Sequence, residues 1–261
     1  MDKLNLLVDR LKRFSKVYLM FSGGLDSCAI LGAAKLAHTE IVPVWINNGF
    51  GRADEQSISQ QAKNMGNNDI TIINVIPNSQ VVKNPEDRCY YCKNQIISAI
   101  KEIANGDVII DGTTGSDTGY RPGKKALNEN RVISPLADLE ISSTEARQIA
   151  LSLGADKTIA DLESCMATRV NYKVPLLNDQ LLKLIEIERL VIDKIRDYNI
   201  RCRLDDADHV RIEFGAPESY VAISDKNFRE TVMAMGEKIA LFTTVDLKPS
   251  RPNTYDKRIT L

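Results

Sequence analysis

Apolar residues recur at helical spacing from about Leu4, in "LNLLVDRL", and then close into "KVYLMF", an unbroken apolar run that reads as a buried strand. A turn, "SGG", follows, and "LDSCAILGAAKLA" resumes the helical period. The unit repeats: strand "IVPVWI", helix through "DEQSISQQAKNM", strand "ITIINVI", helix through "YCKNQIISAIKEIA", strand "DVIID". Strands and helices alternating at this length predict an α/β fold, a parallel sheet with helices on both faces. After about Pro175 the pattern changes to a long amphipathic helix, "LNDQLLKLIEIERLVIDKIRDY", strands "IRCRL" and "VRIEF", a helix through "DKNFRETVMAMGEKI" and a last strand "ALFTTVDL". The expected organisation is a nucleotide-site domain over 1–175, a smaller α+β domain over 176–250 for substrate and subunit contacts, and a polar, proline-containing tail over 251–261.

Composition narrows the class. The 261 residues are 43% hydrophobic and 26% charged, enough for a sizeable core. A formal net charge of -1 speaks against a nucleic-acid partner, which would call for a basic surface. The N-terminus alternates apolar and charged residues, unlike a signal peptide, and no run suits a membrane span. Five cysteines without an export signal point to reduced thiols in a cytoplasmic protein, used for metal binding or chemistry.

Three motifs carry candidate chemistry. "FSGGLDS", Phe21–Ser27, sits where a strand feeds a helix, so backbone N–H groups and the helix N-terminus can close on an anion. It is neither a Walker A loop nor a dinucleotide fingerprint. Read as a bare Gly-Gly it would be an ordinary tight turn. "DGTTGSDTGYRPG", Asp111–Gly123, leaves the fourth strand, and ligands of an open parallel sheet bind beyond the carboxyl ends of its strands. Asp117 suits magnesium and Arg121 a phosphate or carboxylate, the plain alternative being a polar surface loop. "RCYYCK" sets Cys89 and Cys92 at C-x-x-C spacing, which alone fits a zinc knuckle, a redox dithiol, part of an iron–sulfur site or two inert thiols. Cys165 in "DLESCMATR" adds a third; Cys28 and Cys202 lie in apolar or alternating patterns and read as buried packing residues. The His38–Glu40 "HTE" only superficially echoes a zinc deaminase, because Pro85 does not directly precede Cys89.

The whole S-G-G-x-D-S string resembles the PP-loop of the ATP pyrophosphatases, and "SGGLDS", "RCYYCK", "DGTTGSDTGYRPG", "SPLADLEISSTEARQIALSLG" and "SCMATR" follow in the order seen in the LarE family of ATP-dependent sulfur transferases, which build a nickel-pincer nucleotide. The likeness covers most of 15–175 and continues more loosely through "RCRLDDADHVRIE". It implies ATP held by Ser22, Gly23, Gly24, Asp26, Ser27, Gly112, Thr113 and Asp117, with Mg2+ near Asp26. It also implies a small-molecule carboxylate substrate, a pyridinium mononucleotide, contacted by Arg121, Arg201 and Arg203, with Glu188 and Glu213 as metal or substrate contacts and Arg169 beside Cys165 as a catalytic group. Sulfur in that family comes from a sacrificed cysteine at the position of Cys165, or from a [4Fe-4S] cluster on three cysteines, here Cys89, Cys92 and Cys165, fed by a sulfide donor. A homo-oligomer is expected. The chain departs from the family at Thr114 and Ser116, where Asn and a first Asp are common, and is one residue short before Tyr120. Arg201 and Arg203 read equally well as surface charges facing Asp205 and Asp206. A PP-loop tRNA thiolase and a nucleotide-binding module with structural zinc remain the competing readings.

Overall fold

The computed structural model describes residues 2–117, 121–206, 208–251 and 254–256. Thr118–Tyr120 of the second glycine-rich loop and residues 252–253 and 257–261 of the expected tail lie outside the described residues. The chain divides into two compact units, Met1–Pro77 with Asp87–Ser164, and Asn78–Glu86 with Cys165–Leu261.

In unit 1 the chain runs α1 (Lys3–Leu11), β1 (Lys16–Met20), α2 (Leu25–Ala37), β2 (Glu40–Asn47), α3 (Glu55–Asn64) and β3 (Thr71–Asn74). After α4 (Ser79–Val82), which belongs to unit 2, it returns as α5 (Arg88–Ala104), β4 (Val108–Ile110), α6 (Pro122–Glu129), α7 (Pro135–Asp138), α8 (Ser143–Ser152) and α9 (Lys157–Leu162). The sheet is parallel throughout, in the order β3-β2-β1-β4. Helices cover both faces, as the alternation predicted. Val17, Leu19, Trp45 and Ile110 point to one side, where they meet α1, α2 and α8 through Leu11, Ile30 and Ile149. Tyr18, Val44 and Ile109 point to the other, against Ile97 and Ile100 of α5 and Leu127 of α6. From β1 the chain builds outward through β2 and β3, then crosses to β4 on the other side of β1. The carboxyl ends of β1 and β4 therefore flank a switch point, where such sheets place their ligands.

Pro43 sits inside β2 although β2 is an inner strand. Its pairing explains this: β3 begins opposite Val44, so Pro43 has a β1 partner, Leu19, and no β3 neighbour whose ladder its missing N–H could interrupt.

Unit 2 contains α4, a 3-10 turn at Met166–Arg169, α10 (Asn178–Ile195), β5 (Arg201–Asp206), β6 (His209–Glu213), a second 3-10 turn at Pro217–Ser224, α11 (Lys226–Gly236) and β7 (Phe242–Val245). β5 and β6 are antiparallel, while β7 joins β6 in parallel. The core draws Leu184, Ile187 and Val191 from α10, Leu204 and Ile212 from the strands and Val232 from α11. The change of pattern near 175 falls inside this unit. Asn84 accounts for the segment 78–86 being there, because its buried amide donates to the carbonyls of Asn171 and Val174, both at 2.9 Å.

Candidate functional site

The β1–α2 turn is shaped by its own short side chains. Gly23 takes φ +82°, and a Cβ there would come within 2.5 Å of Ile58. The Gly24 amide donates to Ser22 Oγ at 3.2 Å, and Ser27 Oγ donates to the Gly24 carbonyl at 3.0 Å. From behind, Gln61 Nε2 donates to the Gly23 carbonyl at 3.3 Å and to Asp156 O at 2.9 Å, so a fully buried amide ties the loop to the start of α9. Gly23→Ala is expected to cost about 2 kcal/mol through its backbone conformation alone, and contact with Ile58 adds to this. A denaturant midpoint measured on the variant checks it.

The loop after β4 lies directly against this turn. A Cβ on Gly112 would meet the Ser27 amide nitrogen at 3.1 Å, so any side chain there would press the loop away from the turn by a few tenths of an ångström. Buried Asp111 anchors the loop, accepting from Thr113 Oγ1 at 2.7 Å and Ser134 Oγ at 2.6 Å. Asp117 Oδ2 accepts from the Thr114 amide at 2.9 Å and its hydroxyl at 3.1 Å, and Asp117 Oδ1 faces Arg121 Nη2 at 3.4 Å. Thr114 thus orients Asp117. Burial, and then the charge of Asp117, push the Asp26 carboxyl up to about 6. Glu163 is a third carboxylate nearby, placed so that a Cβ on Gly24 would lie 3.3 Å from its Oε2. Ser22–Ser27, Gly112, Thr113 and Asp117 therefore meet at one place.

Helix α5 begins at Arg88, three residues earlier than its apolar period suggested, so Cys89 joins Cys92 on the helix, near its N-terminal end. Cys89 is exposed and Cys92 half-buried. Lys93 reaches from this turn toward Asp111 at 3.5 Å, linking the thiol pair to the β4 loop. Cys28 is buried, and burial followed by the charges of Asp26 and Glu163 pushes its thiol up to about 12.

In unit 2, Cys165 is exposed and precedes the 3-10 turn. Its carbonyl accepts from the Thr168 hydroxyl at 2.7 Å. Arg169 is buried and paired at both ends with buried Glu188, Nε to Oε1 at 2.6 Å and Nη2 to Oε2 at 3.1 Å. Arg203 is only 1% exposed and is no surface charge. It donates to Glu213 Oε2 at 3.2 Å, Thr168 O at 2.7 Å, Arg251 O at 2.7 Å and Thr254 Oγ1 at 3.1 Å, and lies over the Tyr255 ring. Asp205 pairs with Arg211 at 2.6 Å, not with Arg201 or Arg203. Arg201 is half-buried and donates to Asn199 Oδ1 at 2.7 Å and to Ser250 Oγ. Burial, then repulsion from Arg169 and Arg203, lower its guanidinium to about 10. An anion beside Arg201 would relieve that repulsion.

Gln61, Glu163 and Lys93 were not singled out in the sequence. Among them Lys93 alone carried a signal, its place directly after the C-x-x-C pair.

Within either unit, among the described residues, no three His, Cys, Asp or Glu side chains form a ready metal-holding group. No family model matches the chain. An uncharacterized protein of Synechocystis is 26% identical over 271 aligned positions, which span 99% of this chain and 98% of the relative. An uncharacterized protein of Methanocaldococcus jannaschii is 29% identical over 74% of this chain and 78% of its own. The pyridinium-3,5-bisthiocarboxylic acid mononucleotide synthase of Lactiplantibacillus plantarum is 28% identical over 70% of this chain and 69% of its own length. The parallel sheet, with two glycine-bearing loops meeting at its switch point, defines unit 1 as an α/β domain of the PP-loop type. With these likenesses, the resemblance carried by the motifs is supported: the chain is similar to a synthase of the LarE type over 70% of its length.

Proposed function

We propose that this chain is an ATP-dependent sulfur transferase that adenylates the carboxylate of a pyridinium mononucleotide and replaces an activated oxygen with sulfur, in nickel-pincer nucleotide biosynthesis. The Lactiplantibacillus relative, a pyridinium-3,5-bisthiocarboxylic acid mononucleotide synthase, supports the substrate class. The observation that carries the reading is the seating of Gly112 on the Ser27 amide, which joins the glycine turn to the loop bearing Thr113 and Asp117.

A carboxylate is a poor acceptor for sulfur until its oxygen becomes a leaving group. In this reading the substrate carboxylate attacks the α-phosphorus of ATP, and the bond to the bridging oxygen breaks, releasing pyrophosphate. The amides of Gly23, Gly24 and Ser27, with the Ser22 hydroxyl, receive the departing charge. Sulfide then attacks the acyl carbon and AMP leaves, giving a thiocarboxylate; each step is a single displacement. Arg121, Arg201 and Arg203 are assigned to the substrate's anionic groups, Arg201 with the strongest claim because its charge is the least compensated. Arg169 holds the Cys165 turn through Thr168, to whose hydroxyl it donates at 3.1 Å.

Mg2+ fits Asp26 and Asp117: burial and the charge of Asp117 raise the Asp26 carboxyl, and a cation between them would ease that repulsion and neutralise phosphate charge there. For a [4Fe-4S] cluster the donor set is suitable: Cys89, Cys92 and Cys165 are exposed or half-buried, while Cys28 and Cys202 are buried. Bound by three thiolates, such a cluster keeps one iron open to sulfide. We further assign the protein to the cytoplasm and to a homo-oligomer. No described helix is long and apolar enough to cross a membrane.

Incubating the anaerobically purified protein with ATP and a pyridinium biscarboxylate mononucleotide is expected to release AMP and pyrophosphate. Release of ADP and phosphate would sink the mechanism. Zinc without acid-labile sulfide in the same preparation would replace the cluster with a structural metal.

A further inference from the structure

The turn that follows β2 holds a polar side chain that no part of the mechanism has used. Asn48 Nδ2 lies 3.7 Å from Cys92 Sγ, a donor-to-sulfur hydrogen bond. Which end of the amide faces the sulfur is decided by its other contact, because Asn48 Oδ1 accepts the Phe50 backbone N–H at 3.1 Å. A flipped amide would lose that bond and turn an acceptor toward the sulfur. The turn itself is firmly held. Asn47 donates to Asn74 at 3.0 Å on the neighbouring strand, Phe50 is buried, and buried Arg52 donates to the carbonyls of Asp161 and Leu162 while its own amide donates to Ser164 O.

We propose that Asn48 is a positioning residue for the thiol pair: its side-chain N–H fixes the orientation of the Cys92 sulfur and, in the loaded protein, withdraws charge from that ligand. The second half rests on the iron–sulfur reading above. An N–H donated to a ligating sulfur stabilises the reduced, more negative cluster, so it raises the reduction potential. Cys92, half-buried with this donor, and Cys89, exposed, thereby become unequal ligands.

Asn48→Asp keeps an oxygen for the Phe50 N–H, and so keeps the turn, but replaces the donor with a negative charge; Asn48→Ala removes both contacts. Redox titration followed by electron paramagnetic resonance on reconstituted protein should give a more negative midpoint for both variants than for wild type, with Asp the lower. An unchanged midpoint in Asn48→Asp overturns the tuning role. If the wild-type protein takes up no cluster, the functional reading fails first, and the positioning role is then decided on metal-free full-length chain. There the Asn48 side-chain amide resonances should move in Cys92→Ala and stay in place in Cys89→Ala. Resonances indifferent to Cys92 overturn the proposal whether or not the variants at Asn48 fold.

Discussion

Asn in place of Asp26 should raise the melting temperature at pH 7.5 while lowering pyrophosphate release at least about a hundredfold, the scale of losing one preorganised electrostatic contact to a leaving group. Both effects follow from one placement. Burial and the nearby Asp117 push the Asp26 carboxyl up to about 6. Folding therefore favours its protonated form, and whatever stability that form contributes is complete below the ordinary carboxylate range and lost as the pH rises through about 6. At pH 7.5 the group is ionised against its surroundings. Asparagine has the same shape without the charge, so the gain should be on the order of 1–2 kcal/mol once partial solvent access is allowed for. At pH 4.5 the wild-type carboxyl is neutral in the folded protein and mostly ionised only in the unfolded chain, so the difference between the two proteins should shrink there, and it vanishes only below the ordinary carboxylate range. Melting curves at both pH values check the sign. A gain undiminished at pH 4.5, or no gain at pH 7.5, would remove the electrostatic account of why this carboxylate stands beside the loop.

That cost was not visible in the sequence, although the loop was. "FSGGLDS" could be placed on a strand–helix junction because the apolar run before it and the helical period after it are unambiguous, and the sheet order then brought the β4 loop beside it. The partners that fix the loop were hidden because they come from distant segments. Gln61 reaches the Gly23 carbonyl from α3, and Glu163 reaches Gly24 from the end of α9. The arginines of β5 show the same limit. Their nearest acidic neighbours along the chain are Asp205 and Asp206, yet antiparallel pairing sets Arg201 opposite Glu213 and Arg203 opposite Arg211. Glu213 then accepts from both Arg203 and Arg211, so the carboxylate that neutralises this face sits on another strand. The helix start before Cys92 was out of reach for a similar reason: Arg88, Cys89 and Tyr90 do not extend the apolar period of α5, so Cys89 could not be placed on the helix from it, and neither could the Asn48 amide be placed beside Cys92.

Cys89→Ala and Cys92→Ala should each lose the visible absorbance of the cluster and all sulfur transfer, while pyrophosphate release with substrate stays near the wild-type rate. Two features of the chain make the loss complete. The remaining cysteines cannot substitute, since Cys28 is buried with its thiol pushed up to about 12, and Cys202 is buried with its thiol pushed well above the usual range by burial and by Glu188. Neither supplies a thiolate at neutral pH. The adenylation loop, in turn, keeps its geometry through Ser22, Ser27, Gln61 and Asp156, none of which depends on either thiol, so retained pyrophosphate release separates a lost ligand from a lost fold. The competing source of sulfur is Cys165 itself. A cysteine that surrenders its sulfur becomes dehydroalanine and serves once per chain, whereas sulfide delivered by a cluster leaves every cysteine intact and allows repeated turnover. Mass spectrometry of the wild-type protein after reaction distinguishes them: an unchanged chain with more than one thiocarboxylate formed per chain supports the cluster. Transfer that survives in Cys89→Ala and Cys92→Ala, with Cys165 lighter by the mass of hydrogen sulfide, would make Cys165 the donor and leave the C-x-x-C pair without a part in the chemistry.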